Sequence, residues 1–205
     1  NIDWEDISAD NSFIYLADVG NNFGIRKNLN IYKINKRTFV IDSIEISYKA
    51  QLDFKSDYIN AYDAEAIAVV DEDIILFSKN RLKQISQIYK IPKDVKKISL
   101  SPLGCLKVGG LITGADYNAD FKVMILSGYS MDNVIQYLYI LRDFRIPYDN
   151  KFMEIIALPE QYDNTQIESV KILSSNEVLV ASEAENHGDP FMLRISFGDK
   201  YFLAE

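Results

Sequence analysis

Four carboxylates recur in this sequence in similar surroundings: Glu5 shortly before Ile7, Glu65 between Ala64 and Ala66, Asp116 after Ala115, and Glu168 shortly before Val170. A carboxylate among apolar neighbours is seldom buried without a partner. Each of the four must therefore face water, a cation or hydrogen-bond donors. Two uses are open: a shared cation or ligand site, or a fastening in which each acid accepts hydrogen bonds from adjacent backbone or from Thr and Tyr hydroxyls. A second set of polar residues differs from place to place. It comprises Asp18-Val19-Gly20-Asn21-Asn22, Lys79-Asn80-Arg81, Gly128-Tyr129-Ser130 and Glu183-Ala184-Glu185-Asn186-His187. On a common register Asp18, Lys79, Tyr129 and Glu183 converge, with Asn21, Asn22, Asn80 and Asn186 beside them. A lysine among carboxylates either neutralises them by ion pairing or holds an anionic group of a ligand.

The carboxylates and amides would also suit Ca2+, which takes six to eight oxygen ligands, although no EF-hand spacing is present. Glu5, Asp18 and Glu183 are the candidate metal ligands. Zinc is disfavoured by a single histidine, His187, and a single cysteine, Cys105, far apart in the chain. Cys105 reads as a buried, inert small residue and His187 as an exposed loop residue. No Gly-x-Ser-x-Gly elbow, phosphate-binding loop, dinucleotide fingerprint or His-Glu-x-x-His motif occurs. The catalytic options left are a carboxylate pair acting as general acid and base, Glu5 with Glu183 or Glu168, or a metal-activated water.

The elements that must position these residues repeat. Each acid precedes a strand-like hairpin partner: Phe13–Asp18 after Glu5, Ile74–Lys79 after Glu65, Val123–Tyr129 after Asp116 and Val178–Glu183 after Glu168. Third strands follow at Leu29–Ile34, Gln87–Ile91, Tyr137–Leu141 and Phe191–Ile195, and fourth strands at Ser43–Tyr48, Leu103–Val108, Met153–Leu158 and Tyr201–Ala204. Polar turns such as Val70-Asp71-Glu72-Asp73 separate them, and long amphipathic helices are absent. Antiparallel four-stranded units repeating at roughly fifty residues predict an all-β fold, a β-propeller. A β-sandwich is the alternative, but it has no reason to repeat an acid-plus-hairpin motif. The blades fall at about 1–50, 58–110, 111–160 and 164–205 of one domain. They read as part of a five- or six-bladed ring with N-terminal blades upstream, a closed four-bladed ring being the alternative.

Composition narrows the partners. Thirty acids against 22 basic residues give a net charge of −8, which argues against nucleic acid or anionic lipid and favours a cationic or neutral ligand. The 13 Tyr and 11 Phe suit pleated, half-buried surfaces. No apolar run approaches the ~20 residues of a membrane span.

The strings Asp3-Trp4-Glu5-Asp6-Ile7, Asp18 through Arg26, Asp63-Ala64-Glu65-Ala66, Phe77-Ser78-Lys79-Asn80, Thr113-Gly114-Ala115-Asp116 and Gln166-Ile167-Glu168 occur in order at blade-like spacing. Together they resemble a group of poorly characterised secreted bacterial β-propeller proteins, themselves similar to NHL and SMP-30 type propellers. The resemblance implies export from the cytoplasm and a further blade upstream. Lactonase-like members use a Glu, Asn and Asp metal cluster on the axis; Glu5 and the Asn residues here match it in type but not residue by residue.

The sequence thus leads to an extracellular, periplasmic or cell-surface binding propeller. Its ligand site for a small polar molecule or cation comprises Glu5, Asp18, Asn21, Asn22, Glu65, Lys79, Asn80, Asp116, Tyr129, Glu168, Glu183 and Asn186. The alternatives are a metal-assisted hydrolase of an ester or lactone, and a scaffold whose edges bind protein or glycan.

Overall fold

The computed structural model describes residues 2–183, 189–199 and 201–202. The first blade is β1 (Asp6–Ala9), β2 (Phe13–Asp18), β3 (Leu29–Asn35) and β4 (Ile41–Tyr48). The second begins with β5 (Ala64–Val70), β6 (Asp73–Ser78) and β7 (Ser86–Pro92). The chain then forms β8 (Lys97–Leu100) and returns as β9 (Gly104–Leu106) to complete it. The third blade is β10 (Leu111–Asn118), β11 (Val123–Tyr129), β12 (Gln136–Arg142) and β13 (Met153–Ala157). The fourth has β14 (Ile167–Ile172), β15 (Glu177–Ser182) and β16 (Met192–Ser196). Within each blade every pairing is antiparallel, and the chain is a β-propeller. Strand β8 was not expected from the sequence. It lies parallel to β4, Glu45 opposite Lys97, and ties the edge of the first blade to the second.

Polar turn residues allow the tight connections. Asp10 accepts the amides of Ser12 and Phe13 at 2.8 Å each, closing the β1–β2 turn. Asp71 adopts φ 50° between β5 and β6, a left-handed conformation that Asp tolerates well.

The strands bury their apolar faces between blades rather than within them. Tyr15, Ile31 and Ile46 of the first blade pack with Ile67, Leu76 and Tyr89 of the second. Phe77, Ile88 and Leu106 of the second pack with Met124, Leu126 and Tyr139 of the third. Val123, Ile125 and Leu138 of the third pack with Val170, Val178 and Val180 of the fourth. At about 1.5–3 kcal/mol per buried large aliphatic, these interfaces hold the innermost strands side by side in the order β1, β5, β10, β14.

Side chains also stitch neighbouring inner strands together. Asp6 accepts the amide of Ile67 at 2.8 Å, and Ser8 Oγ accepts that of Val69 at 3.1 Å. Asp116 accepts the amide of Ile172 at 2.8 Å and the ammonium of Lys171 at 2.7 Å.

Register corrects the alignment of the four acids. In β5, β10 and β14 the pairing slips by one residue, and the extra residues are Glu65, Thr113 and Glu168. Glu5 occupies the corresponding position just before β1, its amide donating to the carbonyl of Ala17 at 2.9 Å. Thr113, not Asp116, is therefore the third-blade counterpart; Asp116 lies three residues further along β10. Cys105 is a second correction, since it is exposed on the outermost strand of its blade.

A candidate axial binding site

An extra residue in one strand of an antiparallel pair bends the strand and re-aims a side chain. Here the bulges stand at the same end of three inner strands. Glu65 and Glu168 line a cavity of about 350 Å³ at that end together with Glu5, while the Thr113 hydroxyl turns to the carbonyl of Ile167 at 2.5 Å. Asp3, Trp4, Asn22, Tyr58, Lys79, Arg81, Tyr129, Asn133, Gln166 and Glu183 complete most of the wall, so all four blades contribute.

The floor is an ion-pair network. Lys79 donates to Glu65 Oε2 at 2.5 Å and to the Tyr129 hydroxyl at 2.8 Å, and stands 4.9 Å from the centre of that ring. Arg81 pairs with Asp63, donates to Asn22 Oδ1 at 2.7 Å, and stacks on Tyr58 at 4.6 Å. Asp63 is fully buried and also accepts the amides of Asn21 at 2.7 Å and Ala64 at 3.1 Å. Lys79, Arg81 and Glu65 are buried as well. Both basic side chains among the described residues of the cavity are thus engaged by the protein's own acids.

The other carboxylates are crowded. An added Cβ at Gly20 would lie 1.9 Å from Glu5 Oε1 and 2.4 Å from Asp3 Oδ2, so both carboxyl groups converge on space that only glycine leaves open. Burial raises the Glu5 pKa, and the charges of Glu65, Asp3 and Asp63 raise it further. Burial raises Glu65 too, against the pull of Lys79, and it raises Asp3. Burial opposes the charge of Lys79, yet Glu65, Tyr129 and Glu168 hold its pKa above the ordinary value. Interacting carboxyls of this kind titrate as a group and hold protons to higher pH than isolated carboxyls do.

The sequence-predicted residues divide between the cavity and its surroundings. Glu5, Asn22, Glu65, Lys79, Tyr129, Glu168 and Glu183 line the cavity. Asp18 does not: Arg26 donates to it at 2.7 Å, and the amides of Ile2 and Asp3 donate at 3.0 and 2.9 Å. Register explains the shift, for Asp18 aligns with Ser78, and Val19 is the counterpart of Lys79. Asn21 is occupied with Asp63 and the carbonyl of Tyr62. Asn80 caps its own turn through the amide of Lys83. Asp116 faces the fourth blade, and Asn186 and His187 lie outside the described residues. The proposed metal set is divided in the same way, because Asp18 is committed to Arg26. Among the described residues no three His, Cys, Asp or Glu side chains are grouped to hold a metal.

Sequence reasoning did not single out Asp3, Asp63, Arg81 or Tyr58 as site residues. The doublet Asp63-x-Glu65 with Lys79-x-Arg81 was the available signal: two acids where one strand begins stand against two bases just past the end of the strand it pairs with.

No protein-family model matches the chain, and no curated protein matches it. Similar solved structures include the β-propeller domain of the Trilobed protease from Pyrococcus furiosus, at 15% identity and TM-score 0.45, covering 96% of this chain and 55% of that one. A protein assigned as TolB from Agrobacterium tumefaciens is 12% identical with TM-score 0.47, over 97% of this chain and 78% of that one. A NanB sialidase variant from Streptococcus pneumoniae is 16% identical with TM-score 0.48, over 85% of this chain and 26% of that one. The chain spans about half the length of the first of these. No described helix is long and apolar enough to cross a membrane.

Proposed function

We propose that this propeller is a binding module whose axial cavity takes a small organic cation such as a primary amine or guanidinium. The observation that carries this reading is the convergence of Glu5 and Asp3 over Gly20 beside Glu65, while Lys79 and Arg81 are already paired. Among the described residues the cavity has more carboxyl groups than bases, and a bound cation takes the place of the protons that these crowded carboxyls otherwise hold. Asn133, a polar residue of the same wall, adds no competing charge. Trp4 and Tyr58 at the mouth add aromatic faces that attract cations. Two bases standing among the acids favour a single charge over a divalent ion such as calcium. Together with the resemblance to secreted propellers, the reading is of a binding protein that works outside the cytoplasm.

Calorimetric titration with n-butylammonium, butyrate and glucose tests it. Saturable binding of the amine, with Kd around 1 mM or tighter for so small a probe, is expected. Butyrate binding as well as the amine, or no amine binding at all, would overturn it.

A further inference from the structure

The mouth of the cavity is apolar in a way that a small amine does not use. Trp4 is 55% exposed, Tyr58 52%, Phe23 53% and Leu82 59%. These side chains belong to one rim. Trp4 and Tyr58 both line the cavity, and the rings of Phe23 and Tyr58 are 6.1 Å apart. Leu82 is joined to the same segment through its amide, which donates to the carbonyl of Asn60 at 3.4 Å.

The rim is also held in place. Asn60 Nδ2 donates to the carbonyls of Asn22 and Asp57 at 2.9 Å each, and the amide of Asp57 donates to the carbonyl of Phe23 at 3.0 Å. Gln51 Nε2 reaches the carbonyl of Gly24 at 2.7 Å, so the β2–β3 loop and the segment linking the first two blades form one surface. Large apolar side chains held in an ordered surface patch mark an interaction site, and aromatic anchors around one desolvated charge are the usual anatomy of a binding hot spot.

We infer that the physiological ligand is a peptide segment of a partner protein, in which a lysine or arginine enters the cavity while flanking apolar residues cover Trp4, Phe23, Tyr58 and Leu82. Charge complementarity selects this occupant. Among the described residues the interior has more carboxyl groups than bases, and the whole chain carries −8, so a basic anchor is attracted and an acidic one repelled. This inference rests on the cation-binding reading above and adds the rim to it.

Trp4, the only tryptophan, reports directly on the rim. Its fluorescence is followed while the protein is titrated with the peptide acetyl-Leu-Phe-Lys-Phe-Leu-amide, with the same peptide carrying acetyl-lysine, and with n-butylammonium. The lysine peptide is expected to bind at least about tenfold more tightly than n-butylammonium, and the acetyl-lysine peptide to lose that affinity. Phe23→Ser combined with Leu82→Ser, both at exposed positions, is expected to weaken the peptide about tenfold and leave n-butylammonium unchanged. A peptide that binds no more tightly than the amine overturns the inference while the cation reading stands. So does equal binding by the double variant or by the acetylated peptide. Sedimentation showing that a second copy of this chain covers the rim and excludes the peptide also overturns it. Failure of n-butylammonium itself to bind overturns the cation reading and the peptide reading together.

Discussion

Glu65 and Asp116 are both acids on innermost strands of adjacent blades, yet they do different work. Asp116 spends both oxygens on the next blade, accepting the Ile172 amide and the Lys171 ammonium. Glu65 sits on a bulge, turns into the axial cavity, and meets Lys79 within a group of carboxyls that exceeds the available bases. The difference is a matter of register. An acid on the regular ladder reaches the neighbouring strand's amides, whereas an acid at the bulge is aimed along the axis. A propeller can therefore use one residue type both to fasten its blades and to furnish a site.

The largest contrast is expected at the cavity floor. Asp63→Ala leaves the buried Arg81 guanidinium without its main partner and should cost about 3–5 kcal/mol in urea unfolding. Asp116→Ala should cost less, about 1–3 kcal/mol, because it orphans one amide while Lys171 is free to turn to water. Comparable losses in the two variants would erase the distinction between floor and fastening.

Two glycines sharpen the same comparison. A Cβ at Gly128 would lie 2.1 Å from the carbonyl oxygen of Leu111, so Gly128→Ala forces backbone apart and should destabilise by about 1–3 kcal/mol. At Gly20 the nearest atoms that an added Cβ meets are the movable ends of Glu5 and Asp3. It should melt within about 1 kcal/mol of the native protein while losing amine binding, because the carboxyls are displaced.

The dependence on pH breaks the comparison differently, because its sign separates the axis from the surface. Burial pushes the pKa of Asp6 up to about 8, against the pull of the Ile67 amide. The folded protein then holds a proton that the unfolded chain releases above its ordinary value of 3.8. Stability from this group falls as pH rises from 3.8 toward 8, and the raised Glu5 and Glu65 act in the same direction. Asp10, although partial burial opposes its charge, is held at about 2 by Lys93 and the turn amides, so its contribution is lost as pH falls toward 2. Melting temperature should thus be highest in mildly acidic solution and decline toward pH 8; a rise over that interval would contradict the protonation of the axial acids.

The blade pattern was legible because hairpin turns and alternating apolar residues repeat four times, and most strand boundaries fell within a few residues of those observed. Strand β8 was missed because its partner β4 lies in another blade, a pairing that no local signal reveals. The cavity was half legible. Glu65, Lys79, Tyr129, Glu168 and Glu183 follow from aligning the hairpins, but the third blade carries Thr113 rather than an acid at the bulge, so a search for a recurring carboxylate passed over it to Asp116, three residues further along the strand. Asp18 misled for a related reason: the strings after the second strands differ in length, and its partner Arg26 comes from the loop that follows.

The most direct test of the division between site and fastening is calorimetric titration of n-butylammonium into Glu5→Gln and Asp116→Asn side by side. The Glu5 variant should bind about tenfold more weakly than the native protein, and the Asp116 variant should match it. Equal affinities in the two variants, or a loss confined to Asp116→Asn, would contradict the assignment of the axial cavity as the binding site.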